Sequence, residues 1–250
     1  MHCRLAAALA HFLLPSFSAA LKTQTILAPA ATLDDVDSKQ PADKATLALP
    51  VEFAGPGEVV LRGQRFGAGD RWAVLVHGVG TDLDGWRHLA IWLAGRGLSI
   101  LAFDLPGHGA SDGGWNPQLA LAAVMAAVGF ARSQGARQVH LIGEGVGAIA
   151  ALGVAASGSS DIASVAALSP EADDRVAKVG DIRQALVPKL IVVGSLGRAH
   201  LEFAEVVFRR AIGPCEMARF PVTAQGTDLI RGEWGPQVRE KILAHVVRQA

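Results

Sequence analysis

Cysteine is almost absent from this chain, which has two in 250 residues, Cys3 and Cys215. Two cysteines are too few for a disulfide framework, and neither has a CxxC neighbour or a histidine at metal-ligand spacing. The sequence therefore indicates neither a disulfide-stabilised scaffold nor a structural metal. We expect the protein to work without a cofactor.

An excess of charge of either sign is also missing. Lysine plus arginine and aspartate plus glutamate both number 23, so the formal net charge at pH 7 is zero, and no block of like charge stands out. Proteins that bind nucleic acid usually carry a basic patch or stripe. We therefore expect no nucleic-acid partner.

The N-terminal apolar run is short. Leu5–Leu14 follows Arg4 and precedes small residues between positions 16 and 20, and it falls below the roughly 20 residues of a membrane span. This order predicts a signal peptide or hydrophobic leader over residues 1–20, and export to the periplasm or the outside of the cell. An uncleaved anchor, with peripheral membrane association, and an Ala-rich leader on a cytoplasmic protein are the alternatives. Residues 21–45 lack periodicity and are predicted to form a linker.

From Leu47 onward, short apolar runs alternate with longer helical segments, which is typical of a mostly parallel sheet covered by helices on both faces. We therefore expect one α/β domain over residues 46–250 with an eight-stranded sheet. The predicted strands are Thr46–Phe53, Glu58–Arg65, Trp72–Val76, Leu98–Phe103, Val139–Ile142, Ser164–Leu168, Lys189–Val193 and Met217–Phe220. The predicted helices are Trp86–Arg96, Leu119–Gln134, Ala148–Ala156, His200–Ala211 and Pro236–Arg248.

The most informative motif is the turn Gly-Glu-Gly-Val-Gly over Gly143–Gly147, which follows a predicted strand and opens a predicted helix. A turn of this spacing usually carries a nucleophile, because the middle residue of the G-x-S-x-G pattern presents its hydroxyl there. The middle residue here is Gly145, so the turn is kept and the hydroxyl is absent. Such a position is held at positive φ, which glycine adopts freely, and we expect Gly145 to relax strain on the order of 1 kcal/mol.

Two further motifs identify a family. His77-Gly78-Val79-Gly80 follows one predicted strand, and the sequence Asp-Leu-Pro-Gly-His-Gly-Ala-Ser at 104–111 follows the next. Together with the turn at Gly145 and a Leu-Ser-Pro turn at 168–170, they resemble the α/β-hydrolase family over essentially all of 46–250. The resemblance implies that the loop at Gly78 supplies one N–H of an oxyanion hole. Since the connection from Pro170 to Lys189 is short, we expect no sizeable lid domain.

The resemblance also places a catalytic triad, and none of its three members is present. The nucleophile position is Gly145, the acid position after the seventh predicted strand is Gly197, and the base position after the eighth is Gln225. Acyl transfer needs a nucleophile, a base within hydrogen-bond reach and an acid that orients the base. The sequence therefore predicts a hydrolase-like pseudoenzyme.

An esterase-like hydrolase remains an alternative, because two other residues are candidates to replace the missing triad members. Glu144 is the carboxylate of the turn itself and is a candidate general base for a water molecule. Ser195 lies in a strand-to-helix turn of its own, with His200 five residues later, and is a candidate displaced nucleophile. The simpler interpretation is that Glu144 caps the turn and that Ser195 has no chemical role.

A second alternative is a nucleotide-binding oxidoreductase. The loop Gly143–Ala148 matches the G-x-G-x-x-A dinucleotide fingerprint, in which glycines let the backbone approach a pyrophosphate. A lone match of this kind is weak, and no strand-ending carboxylate follows at about 20 residues. The hydrolase motifs already account for the preceding chain.

The groups that hold a substrate are still predicted to be present. The backbone N–H groups of Val79 and Val146 would face the start of the helix after the turn, and such a place suits an anion or a carbonyl oxygen. We therefore expect a non-catalytic protein that binds a small carbonyl or carboxylate ligand, or a protein partner. The predicted binding residues are Gly78, Val79, Gly145, Val146, Trp115 and Gln225.

Overall fold

The computed structural model describes residues 22–26, 47–158 and 162–248. Within these residues, nine strands form one sheet in the order β1-β9-β8-β7-β6-β4-β5-β3-β2. The antiparallel pairs are β2 with β3 and β3 with β5, and the other neighbours run parallel. The strands are β1 (Lys22–Ile26), β2 (Leu49–Ala54), β3 (Val60–Phe66), β4 (Arg71–Val76), β5 (Ser99–Phe103), β6 (Gln138–Glu144), β7 (Ile162–Leu168), β8 (Lys189–Gly194) and β9 (Cys215–Phe220).

Helices cover both faces of the sheet, because the central strands are apolar on both sides. In β4, Trp72, Val74 and Val76 belong to one buried cluster while Ala73 and Leu75 belong to the other, as the two-residue period of a strand requires. The helices in the described residues are α1 (Arg87–Ala94), α2 (Ala120–Ser133), α3 (Gly145–Ala156), α4 (Val179–Ile182), α5 (Arg198–Arg210), α6 (Asp228–Arg231) and α7 (Gly235–Arg248), with short 3-10 turns at 83–86 and 117–119.

The two helical layers divide between these clusters. Side chains of α2, α3 and α5 pack in the first cluster, and those of α1, α6 and α7 pack in the second. Helix α3 is buried almost all round, which explains why its sequence is apolar without a polar face. Its N-terminus is thereby fixed at the carboxyl ends of the parallel strands, where ligand sites of open α/β sheets lie.

The predicted α/β class, the mostly parallel sheet and the eight predicted strands are confirmed, as are the five predicted helices. A ninth strand is added, because Lys22–Ile26 pairs in parallel with Cys215–Arg219 at one edge of the sheet. The linker prediction for 21–45 is therefore wrong for these five residues. Their sequence, Lys-Thr-Gln-Thr-Ile, is too short and polar to show hydrophobic periodicity, and it is the free backbone edge of β9 that gives the strand its pairing.

The predicted leader 1–20 lies outside the described residues. In the described part of the chain, no helix is long and apolar enough to cross a membrane. The connection from β7 to β8 contains the four-residue helix α4, and no lid domain stands over the strand ends among the residues described.

Candidate functional site

The sharp turn between β6 and α3 forms the centre of the candidate site. Strand β6 ends at Glu144, and α3 begins at Gly145, whose φ is +53°. This is the left-handed region that side chains rarely adopt. The expectation of a positive φ at the middle of the turn is therefore confirmed.

The three glycines of the turn have different roles. A Cβ at Gly143 would lie 2.5 Å from the carbonyl oxygen of Gly147, and a Cβ at Gly147 would collide with the carbonyl oxygens of Val76 and His77. A Cβ at Gly145 would meet nothing closer than 3.6 Å. Gly143 and Gly147 thus allow backbone to approach backbone, whereas the middle position has room for a side chain and carries none.

The loop that follows β4 is held next to this turn by a buried histidine. His77 accepts a hydrogen bond on Nε2 from the Leu105 N–H at 2.9 Å, so its proton is on Nδ1, which donates to the Gly78 carbonyl at 2.7 Å. Burial lowers the pKa of His77, so the ring is neutral near pH 7. His77 therefore ties together the two loops that carried the family resemblance and has no free nitrogen for catalysis.

Glu144 is buried and fixes the loop to the opposite wall. Its Oε1 accepts from the Thr81 hydroxyl at 2.9 Å and, more loosely, from the Gly78 N–H at 3.4 Å. Its Oε2 accepts from the Thr227 N–H at 2.6 Å, and the close approach leaves no space for a Cβ at Gly226. Glu144 thus joins the ends of β4, β6 and β9, which supports the interpretation of a structural turn residue.

The positions at which the family resemblance places the acid and the base face each other. A Cβ at Gly197 would collide with Nε2 of Gln225. That nitrogen donates to the Gly194 carbonyl at 2.9 Å and to the Thr223 carbonyl at 3.3 Å. The Gln225 amide therefore fills the space in which an acid would meet a base.

Ser169 is a site residue that the sequence did not single out. Its φ is +42°, the one positive value among the non-glycine residues described, and its side chain is buried. The hydroxyl donates to Gln225 Oε1 at 2.6 Å and accepts from the Gly226 N–H at 2.9 Å. The Leu-Ser-Pro turn was visible in the sequence, but nothing in a serine's identity predicts a left-handed conformation.

A cavity of about 150 Å³ opens above the turn. It brings together residues at or after the ends of four strands, β4, β6, β7 and β9, and one residue from the first turn of α5. These residues are Gly78, Val79, Thr81, Glu144, Gly145, Ser169, Glu171, His200, Gln225 and Gly226. Glu171 lies close to the vacant position, since its Oε2 is 3.6 Å from where a Cβ of residue 145 would be, and its N–H donates to the Gly145 carbonyl at 3.2 Å. The charged and ionisable groups of the lining are therefore Glu144, Glu171 and His200, and no lysine or arginine of the described residues joins them.

The predicted binding residues divide into two groups. Gly78, Val79, Gly145 and Gln225 line the cavity. Val146 and Trp115 are not part of its lining: Val146 is buried beneath it, and Trp115 packs edge-on against His108 with ring centres 5.0 Å apart. Ser195 is also outside the lining, and its hydroxyl donates to the Phe220 carbonyl at 3.0 Å.

The fold and the motifs agree with comparisons to known proteins. A model of the alpha/beta hydrolase family matches residues 73–244. The dihydrolipoyllysine-residue acetyltransferase component of the acetoin cleaving system of Cupriavidus necator is 32% identical over 158 residues, or 58% of this chain and 41% of that protein, so the chain spans less than half the length of this curated relative.

Two solved structures with a similar fold are an esterase and a lipase. An esterase of Pyrococcus furiosus has a TM-score of 0.68 at 16% identity, covering 88% of this chain and all of the esterase chain. A monoacylglycerol lipase of Paleococcus ferrophilus has a TM-score of 0.66 at 18% identity, covering 76% of this chain and 99% of the lipase chain. At these identities the likeness shows a shared fold. Because the family model matches more than half of this chain, the chain belongs to the alpha/beta hydrolase family.

Proposed function

We propose that this protein binds a small ligand in the cavity above Gly145 and does not catalyse acyl transfer there. The observation that carries the proposal is the fixed Gln225 amide, which occupies the base position and is hydrogen-bonded to Ser169, Gly194 and Thr223. An amide held in this way has no basic lone pair near neutral pH. The family's acyl transfer requires that base as well as a nucleophile.

The vacancy at the nucleophile position supports the same proposal. Gly145 keeps the positive φ of the turn and has open space where a side chain would stand. Gly197 cannot be replaced by an acid while Gln225 keeps its rotamer, because the two would collide. The three substitutions are therefore mutually consistent, as expected of a site that no longer performs the reaction.

A carbonyl group is the ligand feature that the remaining backbone favours. Val79 lines the cavity, and its backbone N–H donates to no other residue in the described part of the chain. A preorganised N–H beside a helix N-terminus suits a carbonyl oxygen. Relatives named as an esterase, a monoacylglycerol lipase and an acetyltransferase make an acyl compound a reasonable ligand class for this chain too.

The rival activities have less support. A hydrolase that uses Glu144 would have to release a carboxylate that already accepts three hydrogen bonds. A hydrolase that uses Ser195 would need a hydroxyl directed into the cavity, whereas this one donates to Phe220. A dinucleotide cofactor at Gly143–Ala148 would need more room, because pockets for drug-sized ligands have volumes of about 300–1,000 Å³.

Export through residues 1–20 and recognition of a protein partner remain part of the proposal. N-terminal sequencing of the protein from a periplasmic or secreted fraction tests the first, with cleavage near residue 20 as the expected result. Co-purification of a partner from the same fraction, lost when the cavity mouth is altered at Val79, tests the second.

Ligand binding is tested by calorimetry with a panel of small esters, ketones and amides, comparing the wild-type protein with Val79→Phe. Val79 is about half exposed and lines the cavity, so the larger side chain should block it. Val247→Phe is the matched control, because Val247 has similar exposure on α7 away from the cavity. Binding that persists in Val79→Phe as strongly as in Val247→Phe would contradict the assigned location.

A further inference from the structure

We propose that the edge of the sheet opposite the cavity docks on an anionic phospholipid surface, through the exposed turns that precede β8 and β9. This strand-start surface consists of Arg183, Leu186, Arg210 and Ile212. The cavity lies at the carboxyl ends of the parallel strands, whereas these turns lie where β8 and β9 begin. The inference therefore concerns a different part of the molecule and does not depend on the proposed ligand.

A buried lysine holds the two turns together. Lys189 is the first residue of β8, and its ammonium group donates to the carbonyls of Ala185 and Val187 in the first turn, at 2.5 and 2.8 Å. The same ammonium group donates to the Ile212 carbonyl in the second turn at 2.8 Å. The Ile212 N–H also donates to the Arg183 carbonyl at 3.1 Å. The two turns are therefore joined through their backbones.

Each turn presents an apolar side chain to solvent. Leu186 is 66% exposed and Ile212 is 40% exposed. A single exposed leucine on a protein surface needs no explanation, but these two residues lie on adjoining turns. A Cβ at Gly213 would lie only 2.8 Å from the Leu186 carbonyl oxygen. The pair thus provides apolar area that contact with a membrane interface would bury.

Arginines flank this apolar pair. Arg183 precedes Leu186 on the first turn, and Arg210 precedes Ile212 on the second. Both arginines are exposed, and neither forms an ion pair in the part of the chain that the structure describes. Asp181 is the nearest carboxylate in the sequence of the first turn and offsets part of this charge. Apolar side chains beside exposed arginines suit anionic lipid headgroups, which attract such cations at close range.

The N-terminal part of the chain joins the fold at the same edge. Strand β1 is parallel to β9, and its first residue, Lys22, is paired with Cys215, the first residue of β9. The predicted leader lies outside the described residues, but its apolar run ends at Leu14. Residues 15–21 connect that run to Lys22 and can span at most about 25 Å. A leader that enters a membrane therefore keeps the strand-start surface close to the lipid.

A second copy of this chain fits the strand-start surface less well than a membrane does. A two-fold dimer places the same patch of both subunits face to face. Arg183 and Arg210 would then meet the same arginines across the interface, and like charges repel. Charge complementarity therefore favours an anionic lipid surface as the occupant.

The experiment measures binding of the full chain to vesicles by cosedimentation. The vesicles contain phosphatidylcholine alone or phosphatidylcholine mixed with phosphatidylglycerol. Leu186→Ser tests the apolar pair, and Leu196→Ser is its matched control, because Leu196 is 63% exposed and follows the other end of β8. Arg210→Gln tests the charge, and Arg87→Gln, at an exposed arginine that begins α1, is its control. The leader is the same in every variant, so differences between variants report on the folded domain.

The expected result is that the wild-type protein binds the anionic vesicles at least about fivefold more tightly than the neutral ones. Leu186→Ser should weaken binding about fivefold through lost apolar burial. Arg210→Gln should weaken it about fivefold on anionic vesicles only. The two control variants should bind as the wild-type protein does.

Four outcomes would each overturn the inference: no vesicle binding by the full chain, equal binding to neutral and anionic vesicles, equal losses in test and control variants, and binding that neither Leu186→Ser nor Arg210→Gln weakens. A dimer in solution that Leu186→Ser dissociates, without vesicle binding, would assign the surface to a second copy instead. Val79→Phe should bind vesicles as the wild-type protein does, so the failure of the cavity proposal and the failure of this one are distinguishable.

Discussion

The hydroxyl of Ser169 donates a 2.6 Å hydrogen bond to the side-chain oxygen of Gln225. Ser169 belongs to the end of β7, and Gln225 belongs to the loop after β9, so the bond joins two strand ends across β8. Because the Gln225 nitrogen is bonded to the end of β8 at the same time, one amide connects three walls of the cavity. The residue at the base position therefore has a structural role, because it holds three strand ends together.

Loss of the Ser169 hydroxyl should destabilise the protein. In Ser169→Ala, the buried Gly226 N–H loses its acceptor and Gln225 Oε1 loses its shortest bond, so the free energy of unfolding should fall by about 1–3 kcal/mol. Urea denaturation measures the change. Ser133→Ala is the control, because that exposed hydroxyl bonds only to a carbonyl of its own helix. An equal loss of unfolding free energy in both variants would show that the Ser169–Gln225 hydrogen bond does not stabilise the protein more than an exposed hydrogen bond does.

Alanine substitutions at two glycines of the turn should distinguish the cost of backbone strain from the cost of a steric collision. Gly145→Ala forces a Cβ into a left-handed conformation with open space around it, which costs about 1–2 kcal/mol. Gly147→Ala has no positive φ, but its Cβ collides with two backbone carbonyls of the β4 end.

Gly147→Ala should therefore be the more destabilising substitution, by thermal or urea unfolding. A larger loss for Gly145→Ala would mean that backbone strain, and not the packing of α3 against β4, dominates the turn.

Acid should weaken the fold through two buried histidines. Burial lowers the pKa of His140 and of His245 to about 4 each, from an ordinary value of 6.5. The unfolded chain therefore binds more protons between pH 6.5 and pH 4, so stability falls as the pH decreases through that window and is unaffected above it. The loss is on the order of 3 kcal/mol for each histidine.

Melting temperatures measured from pH 8 to pH 4.5 check this prediction. His245→Gln should flatten the decline below pH 6.5, whereas His88→Gln, which replaces an exposed histidine, should flatten it much less. An acid profile that is identical in the wild-type protein and His245→Gln would contradict the assignment.

The sequence predicted the architecture well, because the strands that form the centre of the sheet are apolar on both faces and are bounded by glycine-rich turns. The triad positions were inferred from the family resemblance, and Gly197 and Gln225 lie next to each other. Strand β1 was not predicted because its five residues are polar or β-branched and show no hydrophobic pattern. They form a strand by pairing with the edge of β9.

The cavity lining was predicted only in part, for a different reason. Gly78, Val79, Gly145 and Gln225 belong to motifs, whereas Glu171 and His200 enter the lining because the segment after β7 and the first turn of α5 approach the turn in space. Contacts of that kind depend on loop geometry, which no periodicity or motif encodes. Trp115 was expected near the cavity from its place beside a motif, but it packs on His108 instead.

Rebuilding the triad should restore weak esterase activity. In Gly145→Ser combined with Gly197→Asp and Gln225→His, the serine has room at the turn, and removal of the glutamine amide opens the space for the aspartate. General acid–base assistance contributes about 10²–10⁴-fold, so turnover of a short acyl ester should exceed that of the wild-type protein by at least about 10². The matched control carries Gly145→Ala with the same two partners and should be inactive. A folded triple variant without turnover would mean that the oxyanion groups no longer match the family's geometry.

The most direct test of the central claim is the reaction of the wild-type protein with a fluorophosphonate serine probe and a panel of short acyl esters. Glu144→Gln, Glu171→Gln, Ser169→Ala and Ser195→Ala are measured beside it, and circular dichroism verifies that each protein is folded. We predict no labelling and no turnover above the buffer rate in any of them, because neither a nucleophile nor a base stands at the turn. Labelling or turnover by the wild-type protein that one of these four substitutions abolishes would contradict the account and identify the residue that acts.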